Sequence, residues 1–150
     1  MPERTTTQPQ IVFAFDFGLR RIGIASGDSL TRSARPLATV SCGATGPDWR
    51  QIQALLAQWS PTRNVVGLPY NADGTISKMA EEAKRFAQDL TGRFGIPVDF
   101  VDERYSSLDA EARLRAARAT GARKRRITKS DVDSYAACVI LERWFALASR

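Results

Sequence analysis

A chain of 150 residues with 43% hydrophobic and 25% charged residues has the length and balance of one globular domain with a real core. It contains no histidine, which excludes histidine general bases, Ser-His-Asp triads and most zinc sites; catalysis would fall to carboxylates, lysines, tyrosines, hydroxyls or a bound metal. The net charge of +6 is concentrated: of 22 basic residues, eight lie between Arg113 and Lys129 with no acid among them, leaving 14 against all 16 acids elsewhere, so that one segment predicts a polyanion partner.

Residues 1–10 are polar, with two prolines and three threonines, and read as a disordered tail without the apolar stretch of a secretory signal. No window of about 18 apolar residues suggests a membrane span. Cys42 and Cys138 make no disulfide framework; Cys138 lies in an apolar helical pattern and reads as a small core residue. A reducing cytoplasm is expected, with residues 11–150 forming one domain.

The first strand spans about residues 11–17. Five apolar residues in a row end at Asp16, as in a strand buried on both faces. An aspartate there is costly unless a metal, a phosphate-bearing ligand or backbone donors satisfy it. Gly18 to Arg20 make a tight turn, residues 21–28 alternate as an antiparallel partner, and residues 35–40 form a third, edge strand that tolerates Pro36. Residues 41–47 read as a loop. Residues 48–60 place Trp49, Ile52, Leu55, Leu56 and Trp59 at helical spacing, with the tryptophans in the core, and Pro61 ends the helix. Residues 64–68 are another buried strand, and a loop from Pro69 to Thr75 leads into a helix over 76–93. A strand over 98–103, a helix over 107–119, the basic segment and an apolar helix over 131–148 complete the chain. The order βββαβαβαα predicts a mixed α/β fold: a central five-stranded sheet, its first three strands antiparallel, flanked by helices.

Three acids sit at element ends that abut the core: Asp16, Glu103 and Asp133. On the fifth strand Asp99, Val101 and Glu103 share one face. On the last helix Asp133 heads the apolar stripe Ala136, Ala137, Ile140, Trp144 and points into the domain. Three carboxylates brought together repel, and a divalent cation resolves this. Oxygen ligands without nitrogen or sulfur favour Mg²⁺ or Mn²⁺. Two such metals about 4 Å apart can activate a water and stabilise the leaving oxygen of a phosphodiester.

Four motifs in this order resemble the YqgF/RuvX family: Asp16-Phe17-Gly18 with Arg21-Ile22-Gly23-Ile24-Ala25; Val66-Gly67-Leu68-Pro69 with Asn71 and Asp73-Gly74-Thr75; Asp102-Glu103-Arg104; and Asp133-Ser134 with Ala136-Ala137 and Ile140-Leu141. The resemblance covers roughly residues 11–145. It implies a ribonuclease H-like fold, kinship with Holliday junction resolvases, and nuclease processing of the 5′ end of pre-16S ribosomal RNA. By the family's pattern Asp16, Glu103 and Asp133 would be the catalytic, metal-holding acids. Tyr70 and Tyr105-Ser106-Ser107 depart from that pattern and bear on substrate fit rather than chemistry.

Each feature has a plainer alternative. Asp16 with Gly18 could form the phosphate loop of an actin-like or sugar-kinase ATPase, but no second Asp-x-Gly follows; it could also be a structural turn. Ser130-Asp131-Val132-Asp133 fits a capping box, which would give Asp133 a helix-starting role. Glu103 could pair with a surface arginine. The basic segment could be a solvated face; as a contact, Arg123, Lys124, Arg125, Arg126 and Lys129 would position nucleic-acid phosphates, with Arg21 steering the backbone. The loop from Asn71 opens a helix and could hold a phosphate, or be a turn and cap. The reading taken is a nuclease on structured RNA, acting as a monomer or weak homodimer. Its rivals are a dimeric Holliday junction resolvase on DNA and a non-catalytic nucleic-acid-binding module.

Overall fold

The computed structural model describes residues 9–71, 73–102 and 128–148. Glu103, the helix expected over 107–119 and the basic residues Arg113 to Arg126 lie outside the described residues. Strand β1 (Ile11–Phe17) pairs antiparallel with β2 (Arg21–Asp28), from Ile11 opposite Asp28 to Phe17 opposite Ile22. Gly18, Leu19 and Arg20 make the connection. Just before β1, Gln10 is fastened by its backbone N–H to the Ser29 hydroxyl, and its carbonyl accepts the Ser29 N–H.

Strand β3 (Ala34–Gly43) pairs with β2, and the register slips where Ala25 meets Pro36. A proline has no N–H to give a ladder, so a bulge on an outer strand is where it costs least. β3 runs three residues beyond the expected end. Gly46 and Pro47 form a short β4 paired with Gly43 and Cys42. Segment 41–47 is thus largely a hairpin rather than the expected loop, and the described sheet has six strands, not five. The Ser-Cys-Gly run carries no alternating apolar signal, while Gly46 at φ 107° allows the return.

Strands β5 (Arg63–Leu68) and β6 (Val98–Asp102) add in parallel on the other side of β1, giving the order β4-β3-β2-β1-β5-β6. The carboxyl ends of the three parallel strands, at Phe17, Leu68 and Asp102, share one edge. Helix α1 (Trp49–Trp59) starts at Asp48, whose carboxylate accepts the Gln51 N–H. Helix α2 (Lys78–Phe94) starts at Ser77, whose hydroxyl accepts the Ala80 N–H, and ends at Gly95 with φ 71°. Helix α3 (Lys129–Ala148) closes the chain.

The sheet has two unlike faces. On one, Phe13, Phe15, Phe17, Ile22 and Ile24 meet Ile52 and Leu56 of α1 and Phe86 and Leu90 of α2. Phe86 is central, with the rings of Phe15, Phe17 and Trp49 at 5.6, 5.2 and 5.6 Å. On the other, Val12, Ala14, Ala25, Val65 and Val101 receive Ala137, Cys138, Ile140, Leu141 and Phe145 of α3. Cys138 is buried, as expected of a small core residue. Trp49 and Trp144 pack against these clusters, but Trp59, expected in the core, is 37% exposed at the last position of α1.

Candidate active site

Alternation along β1 sends Phe13, Phe15 and Phe17 toward α1 and α2, and Val12, Ala14 and Asp16 toward α3. Asp16 is half-buried near the carboxyl end of the strand. Its partner across the β1–β2 ladder is Gly23. A Cβ on Gly23 would collide with the backbone carbonyl of Asp133 and lie 3.0 Å from the Ser134 nitrogen. The first turns of α3 therefore rest directly on the strand backbone beside Asp16, an approach that any larger residue would block. Further along β2, a Cβ on Gly27 would lie 3.0 and 3.1 Å from side-chain atoms of Leu141 and Phe145. Eight helical residues rise about 12 Å and four strand residues about 13 Å, so α3 lies along β2 from Gly23 to Gly27. Packing thereby carries Asp133 to the neighbourhood of Asp16 although 117 positions separate them.

The rival role for Asp133 is already filled. The Asp131 carboxylate accepts hydrogen bonds from the Thr128 N–H at 2.9 Å and the Thr128 hydroxyl at 3.0 Å, and the Asp131 N–H reaches the same hydroxyl at 3.2 Å. This is a capping box on Thr128 and Asp131, two residues before the one the sequence suggested at Ser130 to Asp133. Asp133 instead accepts a hydrogen bond from Arg21 Nε at 2.7 Å. The two side chains are 37% and 23% exposed, so the pair contributes at most about 1 kcal/mol to stability. The guanidinium of Arg21, the residue the sequence assigns to steering a nucleic-acid backbone, is held against Asp133 in this structure.

Around this pair α3 is pinned to the sheet. Trp144 Nε1 donates to Asp99 Oδ2 at 2.8 Å, and Arg63 donates to the other oxygen of Asp99 at 3.1 Å. Arg143 donates to the Asp102 carbonyl at 3.0 Å, fixing the end of β6 immediately before position 103. Asp99 and Val101 face α3, and Phe100 points away and is exposed, as alternation predicts. Asn71 lies in the loop before α2, where its side-chain amide donates to the Thr75 hydroxyl at 2.9 Å and its N–H to the Thr75 carbonyl. Asp73 in turn accepts from the Thr75 N–H and hydroxyl. These bonds brace the turn.

Of the expected site, the structure brings Asp16, Asp133 and Arg21 to one place. Glu103, Arg123, Lys124, Arg125 and Arg126 lie outside the described residues, as does the side chain of Lys129. Among the described residues no three acids, cysteines or histidines form a metal-sized group. Sequence reasoning missed Gly23 as the residue that admits α3. Its signal is a run of small residues on one face of β2, Gly23, Ala25 and Gly27, opposite Ala136 and Ala137. Cys42 is half-buried, and burial pushes its thiol pKa up, away from nucleophilic use.

The family model described as "RuvX: Holliday junction resolvase" matches residues 10–147. A protein of Edwardsiella ictaluri is 44% identical over 137 residues, covering 91% of this chain and 95% of its own length. Proteins of Azotobacter vinelandii and Burkholderia vietnamiensis are 42% and 47% identical, covering 92% and 88% of this chain and 94% and 86% of theirs. All three carry the name "Putative pre-16S rRNA nuclease". Among solved structures, RuvC of T. thermophilus in complex with a Holliday junction substrate superposes with a TM-score of 0.56 at 15% identity, covering 93% of this chain and 96% of that one. A second T. thermophilus RuvC structure gives 0.55 at 14% identity. At that identity the likeness shows the fold, which is ribonuclease H-like.

Proposed function

This chain belongs to the RuvX family, and from that premise we propose that it is a divalent-metal-dependent nuclease that processes the 5′ end of pre-16S ribosomal RNA in the cytoplasm. The observation that carries the reading is the seating of α3 on Gly23. It holds Asp133 beside Asp16 at the carboxyl edge of the parallel strands, where open α/β sheets take their ligands. The donor chemistry fits a hard cation: both acids offer oxygen, and the Asp133 carboxylate already holds a cationic group in the Arg21 guanidinium. Asp16, Asp133 and Glu103 would hold Mg²⁺ or Mn²⁺. Bound there, the metal supplies activation of the attacking water and stabilisation of the leaving oxygen. In the reaction, water oxygen bonds to phosphorus, the P–O bond to the leaving oxygen breaks, and that oxygen takes up a proton.

The remaining residues bind and orient. Arg123, Lys124, Arg125 and Arg126 precede α3 in the sequence and Lys129 opens it, and these residues would draw the phosphate backbone toward its first turn. Asn71 would meet the strand at the α2 side of the same edge. Residues 11–150 act as one domain, as a monomer or weak homodimer.

The test is cleavage of a pre-16S rRNA fragment and of a four-way DNA junction by the purified protein with Mg²⁺ and with Mn²⁺. Trimming of the RNA 5′ extension, lost in Asp16→Asn, is expected. Paired symmetric nicks in the junction without RNA cleavage would favour a resolvase, the activity named in the family model's description. Binding of both substrates without cleavage of either would leave a nucleic-acid-binding module.

A further inference from the structure

We infer that Arg21 is a resident counter-ion for Asp133 which exchanges that carboxylate for a nucleic-acid phosphate, so that nucleic acid and the divalent cation promote each other's binding. The inference deepens the nuclease reading and rests on Asp133 being a metal ligand. Its ground is the geometry of the pair. Arg21 Nε donates to Asp133 Oδ2 at 2.7 Å, and among the described residues this is the side-chain hydrogen bond Arg21 makes. The Arg21 side chain is 37% exposed, and among the described residues one of its five N–H donors is engaged, by Asp133. Arg21 shares its strand face with Gly23, two residues away, so it stands at the point where α3 meets β2. The helix-starting hydrogen bonds of α3 come from the Thr128–Asp131 box, so the Asp133 carboxylate is not needed to cap the helix.

A guanidinium in that position has two consequences. It neutralises Asp133 while no cation is bound, easing the repulsion from Asp16. It also occupies one oxygen of the carboxylate and sets a positive charge against any divalent cation that approaches the same group. A phosphodiester offers a guanidinium the same paired oxygens and negative charge that a carboxylate does, so it can take the planar fork in place of Asp133. A phosphate seated beside Arg21 would draw the guanidinium off Asp133 and open the carboxylate to the cation. By linkage the cation, once on Asp133, would release Arg21 toward phosphate by the same factor.

The test is calorimetric titration of Mn²⁺ into wild type, Arg21→Gln and Arg20→Gln, each alone and with a fully phosphorothioate, 2′-O-methyl RNA hairpin as an uncleaved probe. Titration of the hairpin alone is subtracted. Arg20 is exposed, adjacent and of the same charge, so its variant controls for net charge. Wild type is expected to bind Mn²⁺ at least about fivefold more tightly with the hairpin, the low end of ordinary couplings. Arg21→Gln should bind Mn²⁺ about fivefold more tightly than wild type without hairpin, gain little from adding it, and bind the hairpin more weakly. Arg20→Gln should keep the wild-type coupling. A residue needed only for structure would weaken Mn²⁺ binding when replaced, so tightening is the distinguishing sign. If Arg21→Gln melts below the titration temperature, Arg21→Met is measured in its place. Mn²⁺ binding that is unchanged or weaker without the guanidinium, or equally tightened in Arg20→Gln, overturns the exchange and leaves the metal site standing. No Mn²⁺ binding by wild type under either condition overturns the metal site and the exchange together.

Discussion

The two faces of the sheet are built from different residues and serve different ends. Toward α1 and α2 the strands present phenylalanine and isoleucine, and the helices answer with Phe86, Leu90, Ile52 and Leu56. Toward α3 they present alanine, valine and glycine, and the helix answers with Ala136 and Ala137 near its start and with Ile140, Leu141 and Phe145 further along. Large side chains hold a helix off and bury area; small ones let a backbone come down onto the strand. The first face is therefore where apolar burial is concentrated, and the second is where a first-turn carboxylate can be set beside a strand-end carboxylate. The difference teaches that the site is placed by what is missing from β2 as much as by the acids themselves.

Three substitutions separate the faces, in descending order of expected effect on stability. Phe15 is fully buried among aromatic rings, and Phe15→Ala should cost about 3–5 kcal/mol in urea unfolding. Below its melting temperature that variant should still bind Mn²⁺. Gly23→Ala adds one carbon against the Asp133 backbone and should cost about 1–3 kcal/mol. Unlike Phe15→Ala, it should also lose Mn²⁺ binding and cleavage, because α3 is lifted from Asp16. Gly43→Ala, with open space at its Cβ, is the control that should change neither. A Gly23→Ala protein with wild-type Mn²⁺ affinity would remove the close approach from the account.

The smallest effect lies away from both faces. The Asp28 carboxylate accepts the backbone N–H groups of Thr31 and Leu30 and the Thr31 hydroxyl, and these bonds, the Thr31 N–H foremost, hold its pKa below the ordinary 3.8. A carboxylate with a depressed folded pKa contributes stability above its unfolded pKa and loses it as pH falls through the folded value. Asp28→Ala should thus melt slightly below wild type at pH 7, and the gap should close below about pH 3.8 as the turn's carboxylate protonates. A gap that stays constant into acid would assign the loss to something other than the charged acceptor.

Much of this was legible in the chain. The run from Ile11 to Phe17 and the alternation after Arg21 carried β1 and β2, and helical spacing carried all three described helices. The acids at Asp16 and Asp133 stood out because each sits where burial makes a carboxylate costly. The hairpin of β3 and β4 escaped because Ser41, Cys42 and Gly43 have no periodic apolar signal. Helical spacing puts Trp59 on the face of Ile52 and Leu56, while its exposure at the last position of α1 comes from how far the sheet reaches along that helix. Ser130 and Thr128 are both good caps in sequence, so the sequence alone does not tell the box on Thr128 and Asp131 from one two residues later. The Arg21–Asp133 pair joins residues 112 apart and belongs to no local pattern.

The central claim is that Asp16 and Asp133 grip one and the same cation. Titration of Mn²⁺ into wild type, Asp16→Asn and Asp133→Asn reads it directly, with circular dichroism confirming that each variant is folded. Removing a group that only hydrogen-bonds to a metal ligand costs about 10–100-fold, so loss of either ligand itself should weaken the same binding event by at least about 100-fold. Wild-type affinity retained in either variant would contradict the account.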